Sequence, residues 1–300
     1  MVAEERFRVM GTDAHVVVVG AGPDAVHAAR FRLMELEASW SRFLETSEVN
    51  ALNREAGHEV AVSFDTELLV RRALDAWRLS GASVDPTVLG AVVRAGYDRS
   101  FDRLDDPTSE PTSPWWHLGA GVDGIEVGPG WAKLPAGTGF DPGGVGKGLA
   151  ADLVASELLA RGAAGVLVNV GGDLRVSGQS PTGDGWTIAV EQEGVDEPVA
   201  RLGLHDGGIA TSTTLKRRLP GGHHLIDPAT GEPSATDVVL ATAVAGTAWE
   251  AEAMAKALLL RGRAHDFAIL GGTGIEGLVV ADDGTVLASP GLAAFTGVPA

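Results

Sequence analysis

The chain has 300 residues, of which 45% are hydrophobic and 21% charged, and its 40 acidic and 23 basic residues give a formal net charge of −17. That balance argues against a broad nucleic-acid surface, because phosphate backbones are bound by clustered Lys and Arg side chains. The sequence contains no cysteine, which excludes disulfides, thiolate metal sites and cysteine nucleophiles. Its length suits one large domain or two ordinary ones.

The N-terminus predicts the compartment. It carries acidic residues and lacks the apolar core of a signal peptide. No run of the sequence approaches the roughly 18 apolar residues of a membrane span. We therefore expect a cytoplasmic protein without a membrane span, or an envelope-associated one if a leader precedes the chain.

Hydrophobic periodicity predicts strands and helices without a regular βα repeat. In chain order the first half has a strand at 15–20, a helix at 23–43, a helix at 65–79, a helix into which SGASVDPTVLGAVVRAG leads, and a loop at 102–130 with Trp115 and Trp116 as packing anchors. The second half has a helix from Leu149 that Gly162 stops, a strand–turn–strand at 165–178, further strands and turns to about 245, a helix at 247–262 and two short closing strands. The expected fold class is α+β, or mixed α/β. We expect a single unit over residues 1–300, or two intertwined α/β subdomains without a clear boundary.

The stretch FDPGGVGKG has the glycines and the lysine of a phosphate-binding loop, but it matches neither common type. A P-loop would place Gly at position 141 and Ser or Thr at 148, where the chain has Asp141 and Gly148. The dinucleotide spacing G-x-G-x-x-A fits from Gly146, but that motif follows a strand directly, and LPAGTGFDP disfavours a strand. What remains is a Gly-rich turn that opens a helix with Lys147 in its first turn, which suits a phosphate.

Three Asp-Pro steps begin at Asp85, Asp141 and Asp227. Each one is consistent with an ordinary turn in which the carboxylate caps nearby backbone. The third, however, follows His223 and His224. A paired His is commonly a surface or structural residue, whereas a His beside a phosphate is the usual general acid or base. Both interpretations stay open on the residues alone.

A series of sequence blocks, in order, resembles the ApbE family of FAD:protein FMN transferases. The blocks are VMGTDAHV, SRFLETSEVNALNREAG, VDPTVLG, FDPGGVGKGLAADLV, VLVNVGGDLRVSG, GIATSTT, HHLIDPATGEP and AEAMAKALLLRG, which span about residues 8 to 262. The resemblance implies an ApbE-like fold with T-fold-like layers of sheet and helices. It also implies a magnesium-using enzyme that cleaves the pyrophosphate of FAD, attaches FMN to a Thr or Ser of a partner and releases AMP. The implied partner is an acceptor protein with a flavinylation motif of the type D-x-x-S/T-G-A-S/T.

Carried over position by position, the resemblance implies a set of site residues. The FAD-binding residues would be Met10, Phe43, Ser83, Val84, Asp85, Asp141, Lys147 and Ile226. His224 would take part in proton transfer from the acceptor hydroxyl. Magnesium would be held by a backbone oxygen of Gly144 and by the side chain of Glu252. Phe43 stands where the family often has Tyr, so the ring is kept and a hydroxyl is lost.

The late helix departs from the family pattern. Glu252 stands where the family has Asp, Lys256 where it has Thr, and Ala255 where some members carry a second Asp. One hypothesis is that the Lys256 ammonium partly replaces the metal or displaces it. The other is an i,i+4 Glu–Lys pair, worth about 0.3–0.5 kcal/mol on an exposed face. A further departure is Thr213, where many members have Gly, and it either alters the pocket floor or changes nothing.

Two other functions fit the same residues. An FAD pyrophosphatase would release free FMN and AMP, and a non-catalytic FAD-binding protein would release neither. AMP release separates the second alternative from the enzymes, and covalent flavin on a partner separates the transferase from the pyrophosphatase.

Overall fold

The computed structural model describes residues 1–99, 121–219, 222–265 and 267–296. The α-helices of these residues are α1 (Pro23–Trp40), α2 (Glu48–Arg54), α3 (Phe64–Leu79), α4 (Leu89–Arg94), α5 (Gly146–Ala160) and α6 (Ala248–Arg261). The strands are β1 (Val2–Val9), β2 (Thr12–Val19), β3 (Val60–Ala61), β4 (Glu126–Gly128), β5 (Trp131–Lys133), β6 (Gly165–Val170), β7 (Asp173–Gly178), β8 (Trp186–Val190), β9 (Ala200–Leu204), β10 (Asp206–Thr213), β11 (Arg218–Leu219), β12 (Gly222–His223), β13 (Ile226–Asp227), β14 (Glu232–Pro233), β15 (Val238–Ala245), β16 (Glu276–Ala281) and β17 (Val286–Ala288). Among the described helices, none combines the length and the apolar character needed to cross a membrane.

The chain divides into two compact units, each assembled from separate stretches. The first unit comprises Met1–Met34, Lys147–Thr213 and Thr236–Ala300, and the second comprises Glu35–Gly146 and Thr214–Ala235. Whether these units fold as one domain or as two intertwined subdomains stays a prediction.

The first unit is built on an eight-stranded antiparallel sheet with the strand order β1-β2-β6-β7-β10-β15-β16-β17. Successive residues of a strand point to opposite faces. On β10, Ile209 belongs to a buried cluster that includes Trp186 and Leu202 of the β8–β9 hairpin. Its neighbour Gly208 faces the start of α6 instead, at Ala248. Both faces of the sheet centre are therefore covered. This explains why consecutive apolar residues are buried in β2 instead of every second one.

Two glycines set how closely α6 approaches its neighbours. A Cβ atom at Gly148 of α5 would lie 2.4 Å from the carbonyl oxygen of Ala248, and a Cβ at Gly208 would lie 2.4 Å from the Ala248 nitrogen. Only glycine tolerates such an approach. The second and third residues of α5, Lys147 and Gly148, are thereby held against the first turns of α6.

The second unit contains α2, α3, α4, a three-stranded sheet with the order β3-β5-β4, and the hairpins β11–β12 and β13–β14. Ser47 and Ser63 cap α2 and α3, because each hydroxyl accepts a hydrogen bond from the backbone N–H three residues on. Buried Asn53 bonds both the N–H and the carbonyl of Phe140, at 2.6 and 3.1 Å. The segment that enters the Gly-rich turn is thus fixed to α2.

The predicted α+β fold class is confirmed. The helices predicted at 65–79 and 247–262 are α3 and α6, and the strand–turn–strand at 165–178 is β6–β7 with Gly171 and Gly172 in its turn. The helix predicted to reach residue 43 ends at Trp40. Sequence reasoning missed β1 because it is an edge strand whose exposed positions carry charges rather than apolar residues. Trp115 and Trp116 lie outside the described residues, and the described end of the predicted loop, 121–130, includes β4.

Candidate active site

The three Asp-Pro steps share one local geometry in the second unit. Oδ1 of Asp85 accepts the Thr87 N–H at 2.6 Å, Oδ1 of Asp141 accepts the Gly143 N–H at 2.7 Å, and Oδ1 of Asp227 accepts the N–H of the residue two positions on at 2.9 Å. These are Asx turns, as the simpler interpretation of each step predicted. The turn at Asp141 leads into a 3-10 turn, Pro142–Gly144, and then into α5. No strand lies directly before α5, so the rejection of a dinucleotide motif is confirmed.

Arg42, Phe43 and Tyr97 form a cation–aromatic cluster in the second unit. The guanidinium carbon of Arg42 lies 4.2 Å from the centroid of the Phe43 ring and 4.4 Å from that of Tyr97. Nη1 of Arg42 donates to the Tyr97 carbonyl at 2.8 Å. Nη2 is buried and has no hydrogen-bond partner among the described residues. Phe43 itself is 37% exposed, so one face of the cluster is open to solvent.

The same cluster reaches the Gly-rich turn and the histidine pair. Nε of Arg42 lies 3.5 Å from Oδ2 of Asp141. The ring of Tyr97 meets that of His224 edge to face, with the centroids 6.3 Å apart. Ile226 is buried with Ala91 and Val92 of α4. The structure therefore brings Phe43, Asp141 and His224 of the predicted set around Arg42 and Tyr97.

The two histidines differ in how their ring nitrogens are used. Nδ1 of His223 accepts the Leu225 N–H at 3.2 Å, and Nε2 lies 3.0 Å from the Ser234 carbonyl. Both ring nitrogens of His223 therefore contact backbone atoms near its own hairpin, as is typical of a structural histidine. His224, partly buried against Tyr97, is the member of the pair that suits proton transfer.

Ser83, Val84 and Gly144 lie around one short segment of the second unit. The N–H groups of Ser83 and Val84 bond the carbonyl and the hydroxyl of Ser80, at 3.2 and 2.9 Å. A Cβ at Gly144 would lie 2.7 Å from Cγ1 of buried Val84. Val84 therefore packs against the glycine turn and fixes its position.

The first unit holds a buried cluster of four charges. The Lys147 ammonium bonds Asp173 and lies 3.0 Å from Oε1 of Glu252. The Lys256 ammonium lies 2.8 Å from the same Oε1 atom. The N–H of Gly148 donates to Oε2 of Glu252 at 2.8 Å. Glu252 is fully buried, and the Lys147 and Lys256 side chains are 18% and 12% exposed. The predicted i,i+4 Glu–Lys pair is therefore present, but it is buried rather than on an exposed face.

The electrostatic balance in this cluster keeps Glu252 ionised. Burial alone would raise the pKa of the Glu252 carboxyl, because a charge is costly in a medium of low polarity. The ammoniums of Lys147 and Lys256 and the Gly148 N–H outweigh that cost and hold the pKa well below its ordinary value. The Glu252 carboxyl is therefore ionised at neutral pH.

Magnesium does not fit the residues of this cluster. It prefers oxygen ligands in octahedral geometry. In Glu252, Oε1 already accepts hydrogen bonds from two ammoniums and Oε2 accepts one from the Gly148 N–H. The position of Ala255 adds no carboxylate. Over the described ranges, no group of three or more His, Cys, Asp or Glu side chains is arranged to hold a metal.

Met10, the remaining predicted site residue, and Thr213, the further departure from the family pattern, lie in the first unit. Met10 and Gly11, both with positive φ, form the two-residue turn that joins β1 and β2. Thr213 lies at the end of β10 with ordinary strand geometry, and its hydroxyl donates to the Val239 carbonyl at 2.8 Å. The departure at Thr213 thus adds a strand-to-strand bond and no backbone strain.

Sequence reasoning missed Arg42, Tyr97, Asn53 and Asp173 as site residues. Arg42 and Asn53 stand inside the quoted block SRFLETSEVNALN, where only Phe43 was assigned. A signal for Asp173 was its position after the Gly-Gly turn of VNVGGDLRV. Tyr97 is the single tyrosine of the chain, which gives no pattern to detect.

Comparisons with known proteins agree with this geometry. The model of the ApbE family matches residues 10–279. An FAD:protein FMN transferase of Treponema pallidum is 31% identical over 315 residues, covering 95% of this chain and 86% of the relative. One from Vibrio cholerae is 28% identical over 84% of this chain and 78% of the relative.

Solved structures agree as well. The ApbE protein of Thermotoga maritima has a TM-score of 0.85 at 24% identity, with 99% of both chains covered. The flavin transferase ApbE of Vibrio cholerae has a TM-score of 0.82 at 25% identity, over 98% of this chain and 99% of that one. With the sequence model, a relative above 30% identity and the fold in agreement along almost the whole chain, this protein belongs to the ApbE family.

Proposed function

We propose that this protein is an FAD:protein FMN transferase. It breaks the pyrophosphate of FAD, joins FMN to a Thr or Ser hydroxyl of an acceptor protein and releases AMP. The single observation that carries the proposal is the 31% identity to a relative of that name over 95% of the chain. The implied acceptor carries a motif of the type D-x-x-S/T-G-A-S/T.

The chemistry requires positioning and charge more than a strong nucleophile. In phosphoryl transfer the negative charge on the phosphate oxygens must be neutralised while the attacking and leaving oxygens are held in line. Lys147 is assigned to the FAD phosphates, and its geometry supports this role because Asp173 and Glu252 orient the ammonium. Met10 is the other flavin-binding residue proposed in the first unit.

In the second unit, Phe43, Ser83, Val84, Asp85, Asp141 and Ile226 are proposed to bind FAD. The exposed part of the Phe43 ring offers a stacking surface for a planar ring system. His224 is proposed to take the proton of the acceptor hydroxyl. The acceptor oxygen then bonds the phosphorus of the FMN half, the bond from that phosphorus to the bridging oxygen breaks, and AMP leaves with the bridging oxygen.

Magnesium, which the family resemblance adds through Gly144 and Glu252, is not part of the proposal. Glu252 accepts hydrogen bonds from two ammoniums and one N–H, and the two adjacent positive charges disfavour a further cation at this carboxylate. The compartment also stays a prediction: a cytoplasmic acceptor for the chain alone, or an envelope acceptor if a leader precedes it.

Intact-mass spectrometry of an acceptor peptide carrying the motif tests the proposal, after incubation with this protein and FAD and with AMP assayed in the same tube. We expect the acceptor to gain one FMN unit for each AMP released. AMP without acceptor modification, also when the acceptor is varied, would favour the FAD pyrophosphatase. FAD binding with neither product would favour the non-catalytic binding protein.

A further inference from the structure

Helix α6 of the first unit carries the Lys256 ammonium. Lys256 lies one helical turn after Glu252, and its ammonium contacts the Glu252 carboxylate at 2.8 Å. The side chain is 12% exposed, so nearly all of it is enclosed. A long polar side chain is buried in this way at a cost in solvation and in conformational freedom. The ion pair with Glu252 offsets this cost with one of the three ammonium N–H groups, so the ammonium keeps donors for a further use.

The two ammoniums form a pair suited to a diphosphate. Because Lys147 and Lys256 both contact Oε1 of Glu252, at 3.0 and 2.8 Å, their nitrogens lie within about 6 Å of each other. A lysine ammonium has three N–H donors. In the described structure Lys256 uses one of them, toward Glu252, so two are left to face oxygen atoms of a ligand.

The positive charge placed at Glu252 indicates what the pair of ammoniums would replace. A divalent cation at a carboxylate brings a charge of +2, and the second ammonium at Glu252 brings +1 without ligand exchange or dehydration. The ammonium also contacts Oε1, so a metal ion at this carboxylate would meet a positive charge beside it. Glu252 is fully buried, so no solvent separates its carboxylate from these charges.

We propose that Lys256, together with Lys147, supplies the positive charge for the FAD pyrophosphate as fixed ammonium groups, and that this protein turns FAD over without a divalent metal. The inference rests on the proposed function. The reaction balances as before: the acceptor oxygen bonds the FMN phosphorus, AMP leaves with the bridging oxygen, and the acceptor proton passes to a base. Lys256 donates hydrogen bonds throughout and loses no proton.

The first experiment compares the wild-type protein in EDTA and in MgCl2, with FAD and the motif-bearing acceptor, after metal analysis shows the protein to be metal-free. We expect the same rate of AMP release in both solutions. Lys256→Met lowers that rate in EDTA by about 10²–10³-fold, the effect of removing one donor to developing charge, whereas Lys256→Arg keeps most of it. Arg78→Met is the matched control, since Arg78 is an exposed partner of a carboxylate on α3, and it changes nothing.

A second readout does not depend on turnover. In calorimetric titration with MgCl2 we expect no binding to the wild type and binding to Lys256→Thr. Circular dichroism checks that both proteins are folded. Affinity for FAD in EDTA falls by about 10- to 100-fold in Lys256→Met, the usual range for a hydrogen bond to a charged group.

These experiments separate the metal-free inference from the proposed transferase activity. Wild-type turnover that EDTA abolishes and magnesium restores overturns the metal-free inference and leaves the transferase intact. If no condition yields AMP or modified acceptor, the transferase fails, and the affinity of Lys256→Met for FAD alone then decides whether the ammonium pair binds the pyrophosphate. Unchanged affinity overturns that role.

Discussion

Lys147 in the first unit and Arg42 in the second are both basic, both largely buried and both beside a carboxylate, yet they are stabilised in different ways. Lys147 belongs to a cluster of two ammoniums and two carboxylates, in which each buried charge has an opposite charge in contact. Arg42 lies against two aromatic rings, with its carboxylate at 3.5 Å and one nitrogen unbonded. The first region depends on complete charge pairing, and the second on the faces of aromatic rings.

The two regions should differ in how well they tolerate substitution. A cluster of paired charges fails when any member is lost, because the partner is left buried and unpaired. A cation on aromatic faces interacts more weakly, at about 0.5–2 kcal/mol per contact, and tolerates replacement by an apolar side chain of similar volume. The first region should therefore be far more sensitive to the loss of one residue.

The largest expected effect on stability is that of Glu252→Gln. Removing this charge leaves two buried ammoniums with one carboxylate, and we expect the free energy of unfolding to fall by roughly 3–5 kcal/mol. Urea denaturation measures it. Asp75→Asn is the matched control, because Asp75 also pairs with two cations but is exposed, and its loss costs at most about 1 kcal/mol. Equal losses in the two variants would contradict the comparison.

His224→Gln tests chemistry in the second region instead of stability. We expect FMN transfer to slow by roughly 10²–10⁴-fold, the usual contribution of a positioned general base, while FAD affinity stays unchanged. The single-turnover rate and fluorescence titration measure the two quantities. His223→Gln serves as the control: it breaks backbone contacts and should lower stability more than it lowers the rate. A rate that His224→Gln leaves unchanged would remove His224 from the proton transfer.

Asp152 provides a test by pH within the first unit. Burial raises the pKa of the Asp152 carboxyl to about 6, against the hydrogen bonds it accepts from the Ala248 and Trp249 N–H groups. Between pH 4 and 6 the folded state therefore binds more protons than the unfolded state, and stability falls as the pH rises. The free energy of unfolding, relative to Asp152→Asn, should decrease by up to ~3 kcal/mol across this window. A difference independent of pH would show that the two N–H bonds keep the carboxyl ionised throughout.

Arg42→Met should have the smallest effect. The methionine fills most of the volume between Phe43 and Tyr97. It loses the cation–aromatic contacts, the bond to the Tyr97 carbonyl and the 3.5 Å contact with Asp141. We expect a loss of about 1–2 kcal/mol in the free energy of unfolding, measured in urea. A loss as large as that of Glu252→Gln would show that the second region also depends on charge pairing.

Much of the fold was predictable from local pattern. The helices α3 and α6 have clear periodicity and end signals, and the Gly-Gly turn between β6 and β7 is marked by composition. The edge strand β1 was missed because its alternating residues are charged. Strands β8 and β9 lie in the stretch up to about residue 245 where strands and turns were predicted without bounds. Phe43, Asp141, His224 and Lys147 were assigned through the family blocks, and their contacts are consistent with those roles. Glu252 was assigned through the same blocks as a magnesium ligand, but it contacts two ammoniums instead.

By itself the sequence determined the fold class, the ApbE family and the residue types available for phosphate chemistry, because these are written in periodicity and in ordered blocks. Tertiary structure decided where the Lys256 side chain lies. On the sequence, an i,i+4 Glu–Lys pair is equally consistent with a weak surface contact and with a site residue. Burial decides between them, since it depends on how α5, α6 and the sheet pack through Gly148 and Gly208, and no local pattern reports that packing.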